Sequence, residues 1–254
     1  MTDIIWIVVP VLFLIALVYS SVGLGGGSSY IAFLYLFGIP LSRIPPIALF
    51  FNIIVASIAF SRFYKSGYFK PKFAFPFLIA SIPATFFSAQ LRIDEKLLAF
   101  VFSLILFLAA LILLFRGKDI KTRFSLDSKS ILVISFFLGG GLGFLAGIIG
   151  IGGGIFLGPV LLLMGFSSPK HIAGICSAFV LINSVVGLSS YLIQGRVEFS
   201  VLFLLGLAVF VGGQIGAYFG TKRLSSLLLQ KIFAIILLIV SVKLGVKGAF
   251  YLFS

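Results

Sequence analysis

Ile4 to Val22 is a largely apolar stretch of nineteen residues, and comparable stretches recur at about 45–61, 73–91, 97–115, 130–149, 172–193, 199–220 and 228–252. At about 1.5 Å of rise per residue, each is long enough as a helix to cross a hydrocarbon layer of about 30 Å. Lipid offers no water to backbone N–H and C=O groups, so segments of this kind must close their hydrogen bonds within themselves as helices. Eight such spans exclude a water-soluble fold. Composition agrees, because 61% of the 254 residues are hydrophobic and 10% are charged, against roughly a quarter charged in ordinary soluble domains. The expected class is an all-α integral membrane protein, multi-pass in the cell membrane.

The chain begins Met1-Thr2-Asp3 without a basic n-region or a small-residue cleavage site, so its first apolar stretch reads as a span and not as a cleaved signal peptide. Nineteen Lys and Arg face six Asp and Glu, a formal net charge of +13. All six carboxylates, Asp3, Asp94, Glu95, Asp119, Asp127 and Glu198, fall at the terminus, in connections or at a span edge. The dense basic connections, 62–72 and 116–129, are separated by two spans and so lie on one side, which the positive-inside rule makes cytoplasmic. These charges read as topology signals, and no nucleic-acid partner is expected. One cysteine and one histidine leave no disulfide and no Cys/His metal cluster. No cofactor is expected.

The chain repeats itself. Val22-Gly23-Leu24-Gly25-Gly26-Gly27 matches Ile149-Gly150-Ile151-Gly152-Gly153-Gly154 at an offset of 127 residues. Gly38 pairs with Gly165 and Arg43 with Lys170 at the same offset, while Gly67 pairs with Gly195 at 128. Ala80, Ala84 and Ser88 answer to Ala208, Gly212 and Gly216, small residues four apart that suit a close helix-packing seam. Two homologous halves are therefore expected, 1–115 and 130–254, joined by the basic connection 116–129.

After each glycine-rich turn comes an apolar piece of only eleven residues, Ser28 to Gly38 and Ile155 to Gly165. As helices these reach about 16 Å, half the hydrocarbon thickness, and are tolerated at depth only where protein or a wet cavity surrounds their ends. Four glycines within five positions break a helix. Their backbone can take positive φ, which lets successive N–H groups converge on an anion, and the following helix adds the partial positive charge of its N-terminus. The candidate substrate-binding residues are Gly25, Gly26, Gly27, Ser28, Ser29 and Asn52 in the first half, with Gly152, Gly153, Gly154 and Asn183 in the second. Asn52 and Asn183 sit on corresponding helices but three to four residues out of register.

If each short piece counts as a crossing, the halves are inverted; if it re-enters and returns, they are parallel. Loop charge barely separates the two. Inversion is favoured because only then do the two positive helix ends approach one solute from opposite sides, as in a pseudo-twofold transporter. Valine at Gly26 or Gly153 is expected to abolish anion binding in a folded protein.

With two related halves, the Gly23–Gly27 and Gly150–Gly154 motifs, an asparagine on the helix after each short piece and a basic connection near Gly67, the chain resembles the sulfite exporter TauE/SafE family, also called toluene sulfonate uptake permeases, over essentially its whole length. The resemblance implies a secondary transporter of a small sulfur-containing anion such as sulfite, sulfoacetate or another sulfonate. The residues by themselves reach only as far as a small anion.

Other polar residues have plainer readings. Ser57, Ser184, Cys176 and Ser177 suit packing, Arg43, Lys170 and Lys243 suit snorkelling anchors, and His171 suits an interfacial position; Gln214 is unassigned. No G-x-x-x-x-G-K-[ST] motif supplies ATP hydrolysis, and no H-E-x-x-H, Ser-His pair or paired intramembrane acids supply catalysis, so an enzyme is not expected. The missing midplane carboxylate speaks against an acid proton relay, while a coupling ion, proton through His171 or sodium through backbone carbonyls, stays open, as does homo-oligomerisation. The alternative function is an anion channel with the same glycine turns as its filter. The expected partners are the anionic substrate and the lipid bilayer.

Overall fold

The computed structural model describes residues 2–37, 39, 43–91, 103, 107–108, 110–111, 114–115, 128–195 and 202–252, and all regular structure among them is helical. The elements are α1 (Thr2–Ser21), α2 (Gly27–Leu36), α3 (Ile44–Lys65), α4 (Pro71–Ser88), α5 (Ser128–Ile149), α6 (Gly154–Leu163), α7 (Pro169–Ile193), α8 (Leu202–Tyr218) and α9 (Ser226–Leu252), with one π-helical turn at Phe219–Arg223 after α8. Ile44–Lys65, Leu132–Ile149 and Pro169–Ile193 are long and apolar enough to cross a membrane. The expected span 97–115, the connection 116–129, Gly38 and the carboxylates Asp94, Glu95, Asp119, Asp127 and Glu198 lie wholly or largely outside the described residues, as does the Lys243 side chain.

Both glycine-rich motifs interrupt helices as their composition requires. α1 stops at Ser21 and α2 starts at Gly27; α5 stops at Ile149 and α6 starts at Gly154. Gly23 and Gly150 hold φ of +74° and +73°, Gly26 and Gly153 hold +90° and +74°, and Gly152 holds +76°. An L side chain is strained at such angles, so the motif is needed for the turn itself. α2 and α6 have ten residues each, about 15 Å of helix.

Close packing sets the helix directions. A Cβ at Gly212, Gly216 or Gly220 would strike the carbonyl of Phe13, Leu17 or Ser21 in turn, so α8 lies against α1 and runs parallel to it. Gly139 and Gly143 lie on Phe77 and Ser81, and Gly147 meets Thr85 and Ser88, which makes α5 parallel to α4. These are the two most extensive helix contacts among the described residues. The expected seam at Gly212 and Gly216 is present, and its reason is backbone-to-backbone approach with no side chain between. Gly206 faces Phe50 and Ile54, and Gly213 faces Val55 and Ile58, so α3 also follows α8.

α3 and α7 cross in the opposite sense. Leu49, near the start of α3, covers Gly187, late in α7; Tyr68, just past α3, covers Gly174 near the start of α7. α4 follows α7, with Phe73 and Phe77 on Phe166 before that helix, Thr85 bonded to Asn183, and the Ser190 hydroxyl donating to the Phe86 carbonyl. Thus α1, α3 and α8 run one way and α4, α5 and α7 the other. Because α1 and α3 point the same way, the stretch containing α2 carries the chain back between them; α6 does the same between α5 and α7.

The largest buried cluster gathers around α6, α7 and α9, with Leu157, Leu161, Phe179, Phe233 and Leu237 fully buried. Cys176 is part of it, a free buried thiol beside Gly158, as expected of a packing residue. The outer faces of α4, α5 and α8 expose Phe75, Phe87, Phe137, Leu207 and Phe210. Apolar side chains on these faces suit lipid contact.

Candidate functional site

The two turns meet in the middle of the molecule. A Cβ on Gly27 would lie 3.0 Å from both Cα and the carbonyl oxygen of Ile151, and one on Gly154 would lie 3.2 Å from Leu24 Cδ2. Gly23 rests on the Ala173 backbone at the start of α7, while Gly150 rests on Pro45 at the start of α3. Each turn is thus seated on the start of the long helix that follows the other turn.

Asn52, from the middle of α3, stands between the turns and is fully buried. Its Nδ2 donates to the Ile151 carbonyl at 3.2 Å. The same nitrogen would be 2.7 Å from a Cβ on Gly27 and 3.1 Å from one on Gly152, and its Oδ1 abuts Gly25. Gly25, Gly27 and Gly152 therefore converge on the buried Asn52, with Gly154 beside Leu24 and Val180, while Gly26 faces Ile15 and Tyr30 and Gly153 faces Ala146 and Phe179. Oδ1 of Asn52 has no hydrogen-bond partner there.

The backbone around this locus is rich in unused donors. Among the described residues no acceptor takes the N–H of Gly25, Gly26, Gly27 or Ser28, nor that of Ile151, Gly152, Gly153 or Ile155. All of these residues are buried except Ser28, which is half-buried. A buried N–H with no acceptor costs free energy comparable to a lost hydrogen bond, so a paired cluster of them is a standing invitation to an acceptor-rich solute. Both sets sit at the N-terminus of a short helix, where the macrodipole adds partial positive charge. No cationic side chain is needed for this field.

Ser28 and Ser29 open α2 as expected, but a residue from α1 engages them. The Tyr19 hydroxyl lies 2.8 Å from Ser29 Oγ and 3.3 Å from Ser28 Oγ. Tyr30, also fully buried, presses its ring against Gly26 and leaves its hydroxyl without a partner. The corresponding positions in the second half carry Ile155, Phe156 and Leu157, so the two lobes differ: hydroxyl-lined on the first, apolar on the second.

Asn183 does not duplicate Asn52. Its Oδ1 accepts from Thr85 Oγ1 at 2.9 Å, and the same hydroxyl lies 2.8 Å from the Gly143 carbonyl, tying α4, α5 and α7 together. Its Nδ2 is left without a partner. Two residues of α7 face Gly152 of the turn, Val180 and the polar Ser184, whose Oγ would be 2.7 Å from a Cβ on Gly152 and is also unpartnered. Tyr19, Tyr30, Thr85 and Ser184 are the polar residues missing from the sequence-derived set. The signal for Ser184 was available, since it matches Ser57 at the motif's own offset; Ser57, however, only donates to the Ile53 carbonyl of its own helix.

The remaining polar residues lie toward the other end of α3 and take structural parts. Arg62 donates to Gln214 at 3.1 Å and stands over the Tyr218 ring, which gives Gln214 its role. Lys170 donates to the Thr221 carbonyl at 3.2 Å in the π-helical turn, a cation on a helix C-terminus. His171 is half-buried, with Nδ1 2.8 Å from Ser168 Oγ and its ring edge-on to Tyr68. Gln at position 171 should therefore leave the rate and its pH profile largely unchanged, because the hydrogen bond it disturbs lies at the start of α7, away from the turns. A transport assay across pH 5.5–8.5 checks this. An apolar crevice beside Phe77, Leu138 and Phe166 is too narrow for water and lies away from the turns.

A protein named "Probable membrane transporter protein y4hK" from Sinorhizobium fredii is 31% identical over 242 residues, covering 91% of this chain and 94% of that protein. "Probable membrane transporter protein YdhB" from Bacillus subtilis is 27% identical over 227 residues, covering 85% and 89%. No solved structure matches the chain. The described family Sulfite exporter TauE/SafE matches residues 8–244, which takes in both turns, Asn52 and Ser184, and the chain belongs to that family of membrane transporters.

Proposed function

We propose that the protein is a secondary transporter that carries a small sulfur-containing anion, sulfite, sulfoacetate or another sulfonate, by alternating access of two inverted halves. The observation that carries this reading is the pair of buried glycine turns, where among the described residues eight backbone N–H groups have no acceptor. The sulfur chemistry comes from the family. Small oxyanions present several acceptor oxygens in a compact volume, which matches donors supplied by backbone from two sides.

Inversion is supported by direction. In the pairs α1 and α5, α3 and α7, and α4 and α8, which the repeat makes equivalent, each helix runs opposite to its counterpart. The segments with α2 and α6 count as returns of the chain, which gives each half of 1–115 and 130–254 an odd number of passes. Eight full spans with two broken helices, and a basic cytoplasmic connection at 116–129 in the plasma membrane, complete the proposed topology.

Contact between the turns favours a carrier over a channel, since a filter needs a continuous path. The solute is held at midplane by Gly25–Gly27, Gly152–Gly154, Ser28, Ser29 and Asn52, while Asn183, bonded to Thr85, is left out of the set. Purified protein should be stabilised by sulfite or a sulfonate in a thermal-shift panel that also holds sulfate, phosphate, taurine and short carboxylates, because a ligand of the folded state raises its apparent stability by mass action. Response to carboxylates alone, or a planar-bilayer current far above carrier turnover, would overturn the reading.

A further inference from the structure

Building on that anion reading, we propose that the same locus holds a monovalent cation of the sodium class beside the anion, on Asn52 Oδ1, Ser184 Oγ and carbonyls of the first turn. Asn52 Oδ1 is an acceptor only, is fully buried and has no donor. It cannot exchange roles with Nδ2, because Nδ2 is committed to the Ile151 carbonyl at 3.2 Å. An orphaned acceptor inside a site built for a negative solute is a net cost unless something positive sits against it.

The neighbouring oxygens complete the set. Gly25 and Gly152 both back onto Asn52 and onto Val180 Cγ1, which places the unpartnered Ser184 Oγ, beside Gly152, on the same locus as Oδ1. Among the described residues the carbonyls of Val22, Gly23, Leu24 and Gly25 accept no hydrogen bond. A broken helix offers both signs at one place: free N–H where the second piece begins, and free C=O where the first piece has ended. The Asn52 amide spans the two, its Nδ2 toward Gly27 and Gly152 and its Oδ1 toward Gly25.

Charge decides the kind of cation and its link to transport. Divalent ions are held by carboxylates, and among the described residues no group of His, Cys, Asp or Glu that could hold a metal ion is present. A proton would need a titratable acceptor at this depth, and the amide and hydroxyl here are neutral across the working pH range. Neutral oxygens alone bind a monovalent cation weakly in a buried site, and backbone donors alone bind an anion there at high desolvation cost. Each ion supplies the counter-charge that the protein withholds from the other, so binding of the two is reciprocal.

The test compares stabilisation by sulfite and by sulfoacetate in sodium chloride and in choline chloride at equal ionic strength, using the full-length wild-type protein. The expected result is an apparent anion affinity at least tenfold higher in sodium, with Ser184→Ala raising the sodium concentration for half-effect at least fivefold. Equal anion affinity in the two salts, or an unchanged sodium response in Ser184→Ala, overturns the cation site; the first outcome leaves the anion site standing and gives Oδ1 to a hydrogen-bond donor on the solute. No stabilisation by any anion in either salt refutes the anion reading, and the cation proposal falls with it.

Discussion

Alanine at Gly27 is expected to lower anion affinity at least about a hundredfold while the protein still folds. Gly27 is the first residue of α2 and is not among the glycines with positive φ, so the backbone accepts a Cβ. That methyl would stand 2.7 Å from Asn52 Nδ2 and 3.0 Å from the Ile151 backbone. Asn52 must withdraw, its 3.2 Å bond to Ile151 is lost, and the space between the turns is filled. Hydrogen bonds to a charged partner are worth about 1.5–3 kcal/mol each, so losing two removes about 3–6 kcal/mol, a hundredfold or more. Thermal-shift titration of the variant measures it, and an unchanged affinity would place the solute away from the turns. Gly26 and Gly153 make poorer probes than their sequence suggests. Gly153 combines φ of +74° with a Cβ position 2.8 Å from Ala146 Cβ and 2.9 Å from Phe179, and Gly26 combines +90° with 3.0 Å to Ile15 Cγ2. Valine there strains the backbone and the core together, so folding fails before binding is tested.

Gly216→Val is the second large effect, and it acts on assembly of the bundle. A Cβ at this position runs into the Leu17 carbonyl, and the neighbouring Gly212 and Gly220 hold the same close approach to Phe13 and Ser21. Backbone faces backbone across this seam, so no side chain can yield. Overpacking of a tight contact costs about 1–3 kcal/mol and more where nothing relaxes. At about 3 kcal/mol the melting temperature of a chain this size falls by about 6–12 °C, together with the yield of monodisperse protein on size exclusion. Gly195→Ala is the control. Gly195 has φ of +67° but no atom within 4 Å of its Cβ position, so only the left-handed backbone is penalised, about 1–2 kcal/mol. Equal melting points for the two variants would show that the seam is looser than the carbonyl contacts indicate.

Much of the fold was legible because it is dictated by local chemistry and by period. The short pieces expected from Ser28 and Ile155 form α2 from Gly27 and α6 from Gly154, since glycine runs cannot hold a helix in register and apolar runs in lipid have no other state. The Gly212 and Gly216 stripe was legible by its spacing of four. The matching stripe Gly139, Gly143 and Gly147 obeys the same rule and could have been read as the partner of α4. The candidate site was legible at the turns and at Asn52. It was not legible at Tyr19, which reaches Ser28 and Ser29 from another helix, or at Ser184, which looks like any small residue of a membrane helix.

Which half supplies what to which turn is a matter of three-dimensional contact alone. Repetition in the sequence established that two turns exist and that both break their helices, because glycine content acts on the residues that carry it. That Asn52 of the first half donates to Ile151 of the second, while Asn183 turns away to Thr85, depends on the angle at which α3 crosses α7. A displacement of three to four residues between two asparagines is about one full helical turn and an advance of about 5 Å, so spacing alone left both on nearly the same face. Only the packed arrangement of α3, α4 and α7 decided whether that shift kept the side chain at the turns or carried it to the neighbouring helix.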